Sequence, residues 1–269
     1  MNRYRMGDGL AVILGVAFLF LTLGQAKAAD IGLFSLYKRQ VFVQTNAGPP
    51  GPRCSPFMFD AIVELTASNS IAAAALVGPA GAQTALTVSE EQEFLPRRWL
   101  YWTCGSFDSA QALEATWPAG AYSFFIFGKE SFRTPALNLV GDAYPTNAPH
   151  IANFIEAQSV DPAKDFVLRW DTLPEGTTND TVFVSVRNLA DQSAVFNTPF
   201  LRGRGSLDGT ATAVTIPAGT LAPGLDYDVY VRFDKVLERN HDIPGVLGQT
   251  SYASGTHFNL KTSPTPAGS

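Results

Sequence analysis

Histidine, the side chain most often used for acid–base chemistry, is scarce in this sequence. The 269 residues contain three histidines, His150, His241 and His257, and two cysteines, Cys54 and Cys104. No Gly-x-Ser-x-Gly elbow, His-Glu-x-x-His helix or phosphate-cradling glycine loop occurs in the sequence. Carboxylates are numerous, but a glycosidase pair depends on spatial proximity that spacing along the chain does not give. The sequence therefore predicts a non-catalytic protein without metal or cofactor, and an unrecognised hydrolase is the least favoured alternative.

The two cysteines could form a single internal disulfide. Pairing of Cys54 with Cys104 is the favoured expectation if the chain reaches an oxidising compartment. This bridge would close a loop of about fifty residues and add about 4 kcal/mol to the stability on chain entropy. The alternative is two separate buried thiols. A zinc site is not indicated, because structural zinc takes four ligands and no histidine lies near either cysteine in the sequence.

The stretch 97–102, Arg-Arg-Trp-Leu-Tyr-Trp, contains a first candidate for ligand binding. If Leu100 and Trp102 face a core together with Cys104, strand alternation places Trp99 and Tyr101 on the other face. An exposed aromatic pair could stack on the apolar faces of sugar rings. The alternatives are self-association through the pair and burial under the N-terminal segment or a neighbouring domain. Packing is the commoner fate of large aromatics.

The second candidate is the stretch Asp234–Gly255, with Glu238, Arg239, His241 and Asp242 near its middle. Loops of this length without regular structure are usually functional or disordered. One interpretation is a recognition loop that could use a metal ion. The favoured interpretation is an extended hairpin with solvated charges. We expect this stretch to be the most mobile part of the second half and the first site of proteolysis.

Composition and charge exclude two further classes of protein. Hydrophobic residues make up 46% of the chain and charged residues 16%, so the chain is not intrinsically disordered. The 19 lysines and arginines are outnumbered by 24 aspartates and glutamates, which gives a net charge of −5. Nucleic acid is therefore not an expected partner, because phosphate binding needs clustered positive charge.

The first 28 residues have the pattern of a secretory signal peptide. Arg3 and Arg5 precede the apolar run Leu10–Leu23, and Ala26-Lys27-Ala28 fits a cleavage site. The apolar run is shorter than the roughly 20 residues needed to span a bilayer. We therefore expect cleavage after Ala28, no membrane span in the mature chain, and export to the periplasm or the extracellular space.

Apolar and polar residues alternate with a period of two along the rest of the chain, as in half-buried strands. The predicted fold is all-β, with two tandem antiparallel β-sandwiches at residues 29–145 and 146–262 and a flexible tail at 263–269. The boundary is placed at the proline-containing stretch 144–149. The prolines of 46–56 argue against regular structure there. At 108–111 a capping-box spacing favours a helical turn, whereas the alternation that follows favours a strand. The predicted core stripes are 57, 59, 61, 63 and 65; 100, 102 and 104; 122, 124 and 126; 166, 168 and 170; 182, 184 and 186; 214 and 216; 227, 229, 231 and 233; and 258 and 260.

The second half resembles a fibronectin type III domain. Its segment 221–231, Leu-Ala-Pro-Gly-Leu-Asp-Tyr-Asp-Val-Tyr-Val, matches that family's Leu-x-Pro-Gly-x-x-Tyr-x-Val-x-Val stretch. The resemblance implies that Tyr227 is a corner tyrosine hydrogen-bonded to nearby backbone, that Trp170 is a core residue, and that Phe258–Thr262 forms the last strand. A weaker echo occurs at Pro118–Tyr122, where the first half is similar to a diverged sandwich of the same kind.

The resemblance implies binding, adhesion or spacing rather than catalysis. It also extends to uncharacterised secreted bacterial proteins built from two such modules. The expected function is that of a secreted binding or spacer module at the cell surface, whose partner is a polysaccharide or another surface protein. A glycan-binding accessory protein for polymer degradation is the alternative.

Overall fold

The computed structural model describes residues 30–91, 98–129, 131–200 and 205–264. The predicted signal peptide, Arg97 and the end of the tail lie outside the described residues. The chain is nearly all β, with 55% of residues in strands and 5% in helices. The predicted all-β fold class is confirmed.

Sixteen strands, one α-helix and one 3-10 helix lie within the described residues. The strands are β1 (Ile31–Val43), β2 (Gly51–Leu65), β3 (Ile71–Val77), β4 (Gln83–Ala85), β5 (Thr87–Glu91), β6 (Arg98–Phe107), β7 (Gly120–Gly128), β8 (Phe132–Arg133), β9 (Ala136–Leu139), β10 (Phe166–Arg169), β11 (Thr181–Asn188), β12 (Ala194–Asn197), β13 (Leu207–Asp208), β14 (Ala213–Ile216), β15 (Asp226–Asn240) and β16 (Leu247–Lys261). The helices are α1 (Ala110–Thr116) and the 3-10 turn Glu156–Gln158.

The strands form one large sheet and two smaller ones. The large sheet has nine strands in the order β12-β11-β15-β16-β1-β2-β6-β5, with β13 beside β11. Its β1 runs parallel to β16, whereas β1 and β2, β15 and β16, and β11 and β15 pair antiparallel. A five-stranded sheet has the order β4-β3-β7-β8 with β9 beside β7, and β10 pairs with β14.

Two hydrophobic cores lie on one face of the large sheet. The first core joins β1 and β2 to the five-stranded sheet through residues such as Phe34, Phe59 and Phe124. The second core joins β11, β15 and β16 to the β10–β14 pair, around residues such as Trp170 and Val184. The predicted stripes at 59–65, 122–126, 182–186, 227–233 and 258–260 all supply buried residues to these cores.

The expectation that Asp234–Gly255 is a 22-residue loop is wrong, because this segment forms the end of a long hairpin. β15 and β16 are both 15 residues long and continue the ladder of the second core as far as the pair Asn240–Gly248. The turn between them holds Ile243 and Val246, which are buried in the first core. This packing explains why the segment is ordered, since each strand satisfies the backbone groups of the other and the turn contributes apolar surface. The extended-hairpin interpretation matches the structure.

Two local expectations are also revised. β2 begins at Gly51 and includes Pro52 and Pro56, although prolines were expected to forbid a strand there. The pairing of β2 with β6 starts only at Phe57, so on that side the two prolines lie at an edge of the sheet, although Pro52 still pairs with Phe42 of β1. Ser55, at φ 48°, interrupts the strand between them. At 108–111 the helical alternative holds, because the Ser109 side chain accepts a hydrogen bond from the Ala112 N–H and α1 follows.

The large sheet crosses the predicted domain boundary. β1, from the first half, lies between β2 and β16, and the side chain of Gln44 just beyond it both accepts from the Ile151 N–H at 2.7 Å and donates to the Ile151 carbonyl at 3.2 Å. The two cores therefore share one sheet. The division of the chain into domains between residues 145 and 146 stays a prediction.

Candidate functional site

Of the two aromatic residues that were predicted to form an exposed pair, the structure leaves one exposed and covers the other. Leu100 faces a third apolar cluster, on the side of the large sheet opposite the two cores, and Trp102 packs against it. Tyr101 lies on the other side, packs against the first core and donates its hydroxyl to the Ala72 carbonyl at 3.0 Å. Trp99 remains 38% exposed. Tyr101 is thus occupied by packing, and Trp99 alone offers an open ring.

The polar residues of the long hairpin mostly hold the hairpin in place. The Glu238 carboxylate accepts from the Asn138 N–H at 2.7 Å, and Arg239 donates to the Asn179 carbonyl. Asp242 accepts from the Asn240 side-chain amide at 2.8 Å. His241 is exposed at the turn. Within the described parts of the chain, no group of three or more histidine, cysteine or acidic side chains could hold a metal ion.

The predicted disulfide is not formed, because Cys54 and Cys104 are both free, exposed thiols. The ladder between β2 and β6 places Cys104 opposite Asp60, six positions along β2 from Cys54. Six residues of strand span up to about 20 Å, whereas disulfide-bonded residues have Cα atoms less than about 7 Å apart. Burial and the neighbouring Asp60 also raise the pKa of the Cys104 thiol. The stability estimated for the bridge does not apply to this fold.

A network of buried charges that was not predicted from the sequence lies on the face of the large sheet opposite the cores. We call Arg39, Asp60, Tyr230, Arg232 and Asp234 the charge network. Alternation along β15 directs its second-core residues to one face and Tyr230, Arg232 and Asp234 to the other. All three are less than a tenth exposed. In the sequence, this network corresponds to the polar stripe Asp-x-Tyr-x-Arg-x-Asp at 228–234, which alternates with the predicted apolar stripe 227–233.

Arg232 is the centre of this network. Its Nε donates to an Asp234 carboxylate oxygen at 2.8 Å. Its guanidinium lies 4.9 Å from the centroids of Tyr37 and Phe200 and 5.5 Å from that of Phe183. Burial opposes the charge of Arg232, but Asp234, Tyr37 and Tyr230 together outweigh burial and raise the pKa of the guanidinium. Arg232 is thus charged, paired with one carboxylate and surrounded by aromatic rings.

Arg39 ties β1 to its neighbours in the sheet. It donates to the Asp60 carboxylate at 2.9 Å through Nε and to the Tyr230 hydroxyl at 3.4 Å through Nη1. Tyr230 can reach across β16 because Gly255 lies beneath its ring. A Cβ at Gly255 would come within 2.3 Å of the Tyr230 hydroxyl oxygen. The glycine therefore permits a contact between β15 and β1 over the intervening strand.

A second group of charges continues the same face toward the second half. The His257 ring packs on Tyr230 with a centroid separation of 4.3 Å, and its Nδ1 lies 3.0 Å from an Asp228 carboxylate oxygen. Arg187 lies 3.5 Å from the same carboxylate. Burial alone would raise the pKa of Asp228, but the hydrogen bond with His257 and the charges of His257 and Arg187 outweigh burial and lower it.

One charge is buried on the opposite face, within the first core. The side chain of Lys38 is 0% exposed and pairs with Glu114 on α1. Burial lowers the pKa of Lys38, and the contact with Glu114 offsets part of that effect. This pair fastens α1 to β1.

These arrangements support packing and recognition better than catalysis. The buried cations are paired with carboxylates, and none of these pairs places a nucleophile beside a general base. A cavity of about 240 Å³ lies beside His257, lined by residues that include Gln44, Gln158 and Lys261. That volume falls below the roughly 300–1,000 Å³ of ordinary small-molecule pockets.

Two of the features implied by the fibronectin type III resemblance, the corner tyrosine and the core tryptophan, are present in the second half. The Tyr227 hydroxyl accepts from the Ala222 N–H at 2.7 Å, which is the corner arrangement. Trp170 is buried in the second core, and its indole N–H donates to the Ala211 carbonyl at 2.9 Å. The class of protein defined by the fold is thus an all-β protein of immunoglobulin-like and fibronectin-like sandwich type.

Several solved structures are distantly similar to the chain. They include a biofilm-associated protein BSP domain (11% identity, TM-score 0.23, 88% of this chain and 30% of that one), the FN1–FN3 domains of chicken CNTN1 (10%, 0.25, 89% and 68%) and a chimeric titin Z1Z2–Z1Z2 tandem functionalised with a GRGDS peptide from fibronectin (14%, 0.22, 88% and 97%). The chain spans about 30% of the length of the first of these. No protein-family model and no curated protein sequence matches the chain. The likeness is distant, and the description of the fold rests on the sheets themselves.

Proposed function

We propose that this protein is a secreted, non-catalytic module whose two β-sandwich halves act as one rigid spacer between binding partners. The predicted signal peptide at residues 1–28 supports secretion, and no helix within the described ranges is long and apolar enough to cross a membrane. The paired charges and the small cavity support a role without chemistry. The division into halves at 145 and 146 is part of the proposal.

The observation that carries the proposal is the sharing of β15 and β16 by both cores. Along β15, Val231 and Phe233 lie in the second core and Leu237 packs against the first. Along β16, Tyr252 lies in the first core and Phe258 in the second. A hinge between the halves would have to break the parallel ladder of eleven residue pairs that joins β1 to β16 and to withdraw Leu237 and Tyr252 from the first core. Two modules joined only by a linker would move independently.

A distance measurement between spin labels tests this rigidity. One label is placed on Cys104 in the first half and one on Lys164→Cys in the second, with Cys54→Ser removing the other thiol. Lys164 is 79% exposed, so the label does not disturb packing. The native pair Cys54 and Cys104, within one half, is the matched control. We expect distance distributions of equal width for the two pairs. A broad or two-peaked distribution for the pair that spans the halves would overturn the spacer proposal.

Polysaccharide binding is a second candidate, favoured by an aromatic cluster outside the predicted site. Phe127 and Phe132 are 43% and 56% exposed, and their ring centroids are 4.9 Å apart. Phe125 lies 5.9 Å from Phe132. Phe125 and Phe127 lie on the face of β7 that points away from the first core, and Phe132 lies on the neighbouring β8. Exposed apolar surface of this kind marks interaction sites. Titration of the protein with soluble polysaccharides tests this candidate. Loss of binding in Phe127→Ala/Phe132→Ala but not in Trp99→Ala would identify the cluster as the binding surface, and the reverse would identify Trp99.

A further inference from the structure

From the strand order we infer that this protein is built to bear tension applied between its two ends, with β1 and β16 as the strands that carry the load. This inference deepens the proposed spacer role and rests on it. The chain enters β1 at Ile31 and leaves β16 at Lys261. These two strands are neighbours and run parallel. A pull on the two ends therefore slides β1 and β16 past each other in opposite directions along their common ladder.

The ladder between β1 and β16 is long enough to make this geometry matter. It contains eleven consecutive residue pairs, from Leu33–Leu247 to Val43–His257, without a register shift. In sliding, the load is shared by all hydrogen bonds of the ladder at once. In peeling, the bonds break one pair at a time. Because forced unfolding is governed by the unfolding barrier, a ladder that must yield as a whole resists force better than one that unzips.

β1 is also held from its other side. Eleven residue pairs join it to β2, with register shifts near its two ends. Force that extracts β1 must therefore shear two ladders, one parallel and one antiparallel. Among the described strands of the large sheet, β1 and β16 are the two whose neighbours come from both halves of the sequence.

Side chains lock β1 across the sheet at several levels. Arg39 bonds to Asp60 on β2 and to Tyr230 on β15, so one side chain spans four strands. Lys38 pairs with Glu114 on α1 from the opposite face. At the end of β1, Gln44 makes two hydrogen bonds with the backbone of Ile151. Each of these contacts has to break before β1 can slide.

Single-molecule pulling of the full chain tests the inference by changing only the direction of force. In the first geometry, handle domains are fused to the two ends. In the second, one handle is at the N-terminus and the other is attached through His241→Cys, in the exposed turn before β16. Cys54→Ser and Cys104→Ser remove the native thiols in both. The second geometry pulls on the starts of the two parallel strands, which lie at the same end of the ladder, and so peels them apart.

We expect an unfolding force several-fold higher in the first geometry than in the second. Equal forces in the two geometries would overturn the inference, because a load shared along the ladder must depend on direction. Arg39→Ala is expected to lower the force in the first geometry more than Arg169→Ala, an exposed arginine outside both ladders. Chemical denaturation of each variant confirms that it folds.

The outcome separates this inference from the spacer proposal. Narrow label distances with equal pulling forces leave a rigid spacer that is not built for tension. Broad label distances remove the spacer role, whatever the forces are.

Discussion

At the scale of single residues, the main feature is charge placed inside a sheet rather than on its surface. Arg232 and Asp234 lie side by side on β15, both less than a tenth exposed, beneath aromatic rings. The free energy needed to move such a pair of charges out of water is about as large as the attraction between them in the protein. Removal of one partner is different, because the other charge is then left buried without compensation. The network therefore contributes more to the choice of this strand arrangement than to total stability.

Replacement of Arg232 by methionine should destabilise the protein by about 3–5 kcal/mol, because Asp234 would keep a buried charge without its partner. Addition of Asp234→Asn should recover part of the loss. The free energies of unfolding of the two single variants and the double variant, from urea titrations, measure this coupling. Strict additivity of the two substitutions would show that the residues do not act as a pair.

Tyr227→Phe should lower the stability by about 1–3 kcal/mol, because the buried N–H of Ala222 would lose its acceptor. Tyr101→Phe is the matched control, since its hydroxyl bonds to a carbonyl at the exposed margin of the first core. Denaturation midpoints of the two variants give the comparison. A midpoint for Tyr227→Phe equal to that of the native protein would contradict the corner assignment.

Asp228 should make stability depend on pH in the acid range. Its pKa is lower in the folded protein than in the unfolded chain, where the pKa of aspartate is about 4. The stabilisation is thus fully present above that unfolded value and is lost as the pH falls through the lowered folded value. Asp228→Asn should flatten this part of the profile. Urea midpoints measured from neutral pH downward check it, with the exposed Asp226, replaced in the same way, as the control for carboxylate loss.

At the scale of elements, the long hairpin decides where the chain is open to attack. β15 and β16 are paired to within a few residues of their turn, and Ile243 and Val246 anchor that turn in the first core. A segment so packed must unfold before a protease can bind it. This reverses the expectation that a long loop would be cut first.

Limited proteolysis should therefore spare the segment Asp234–Gly255 while the fold is intact. The irregular stretch between Gly141 and Ala148 has exposed residues and should be cut earlier. Mass spectrometry of the first fragments identifies the site. A first cut within 241–246 would show that the turn opens independently of the first core.

At the scale of the whole molecule, two cores on one sheet should unfold as one unit. Trp170 reports on the second core and Trp117, which stacks on Phe59 at 4.1 Å, reports on the first. The first core is incomplete without the second half, because Ile243, Val246 and Tyr252 are part of it.

Urea unfolding should thus be a single transition, with coincident midpoints for variants that retain only Trp170 or only Trp117 as the probe of each core. A fragment of residues 29–145 should fail to fold on its own, since the side chains that β15, β16 and their turn supply to the first core would be missing. Two separated transitions, or a cooperatively folded fragment, would show that the halves are independent modules.

The amino-acid sequence alone determined which residues face the cores, because strand alternation is a local property of the chain. The stripe from Tyr227 to Phe233 and the corner at Tyr227 could be read directly, and both are as expected. The candidate site could not be read in this way. Trp99 and Tyr101 were correctly placed on one strand face, but only the neighbouring strands decide that Tyr101 is covered. The register between β2 and β6 keeps Cys54 away from Cys104, and register is not encoded in the spacing of two cysteines. Likewise, the pairing of β1 with β16 joins residues more than two hundred positions apart. Such contacts depend on which surfaces meet once the whole chain is folded, and the tertiary structure alone settles them.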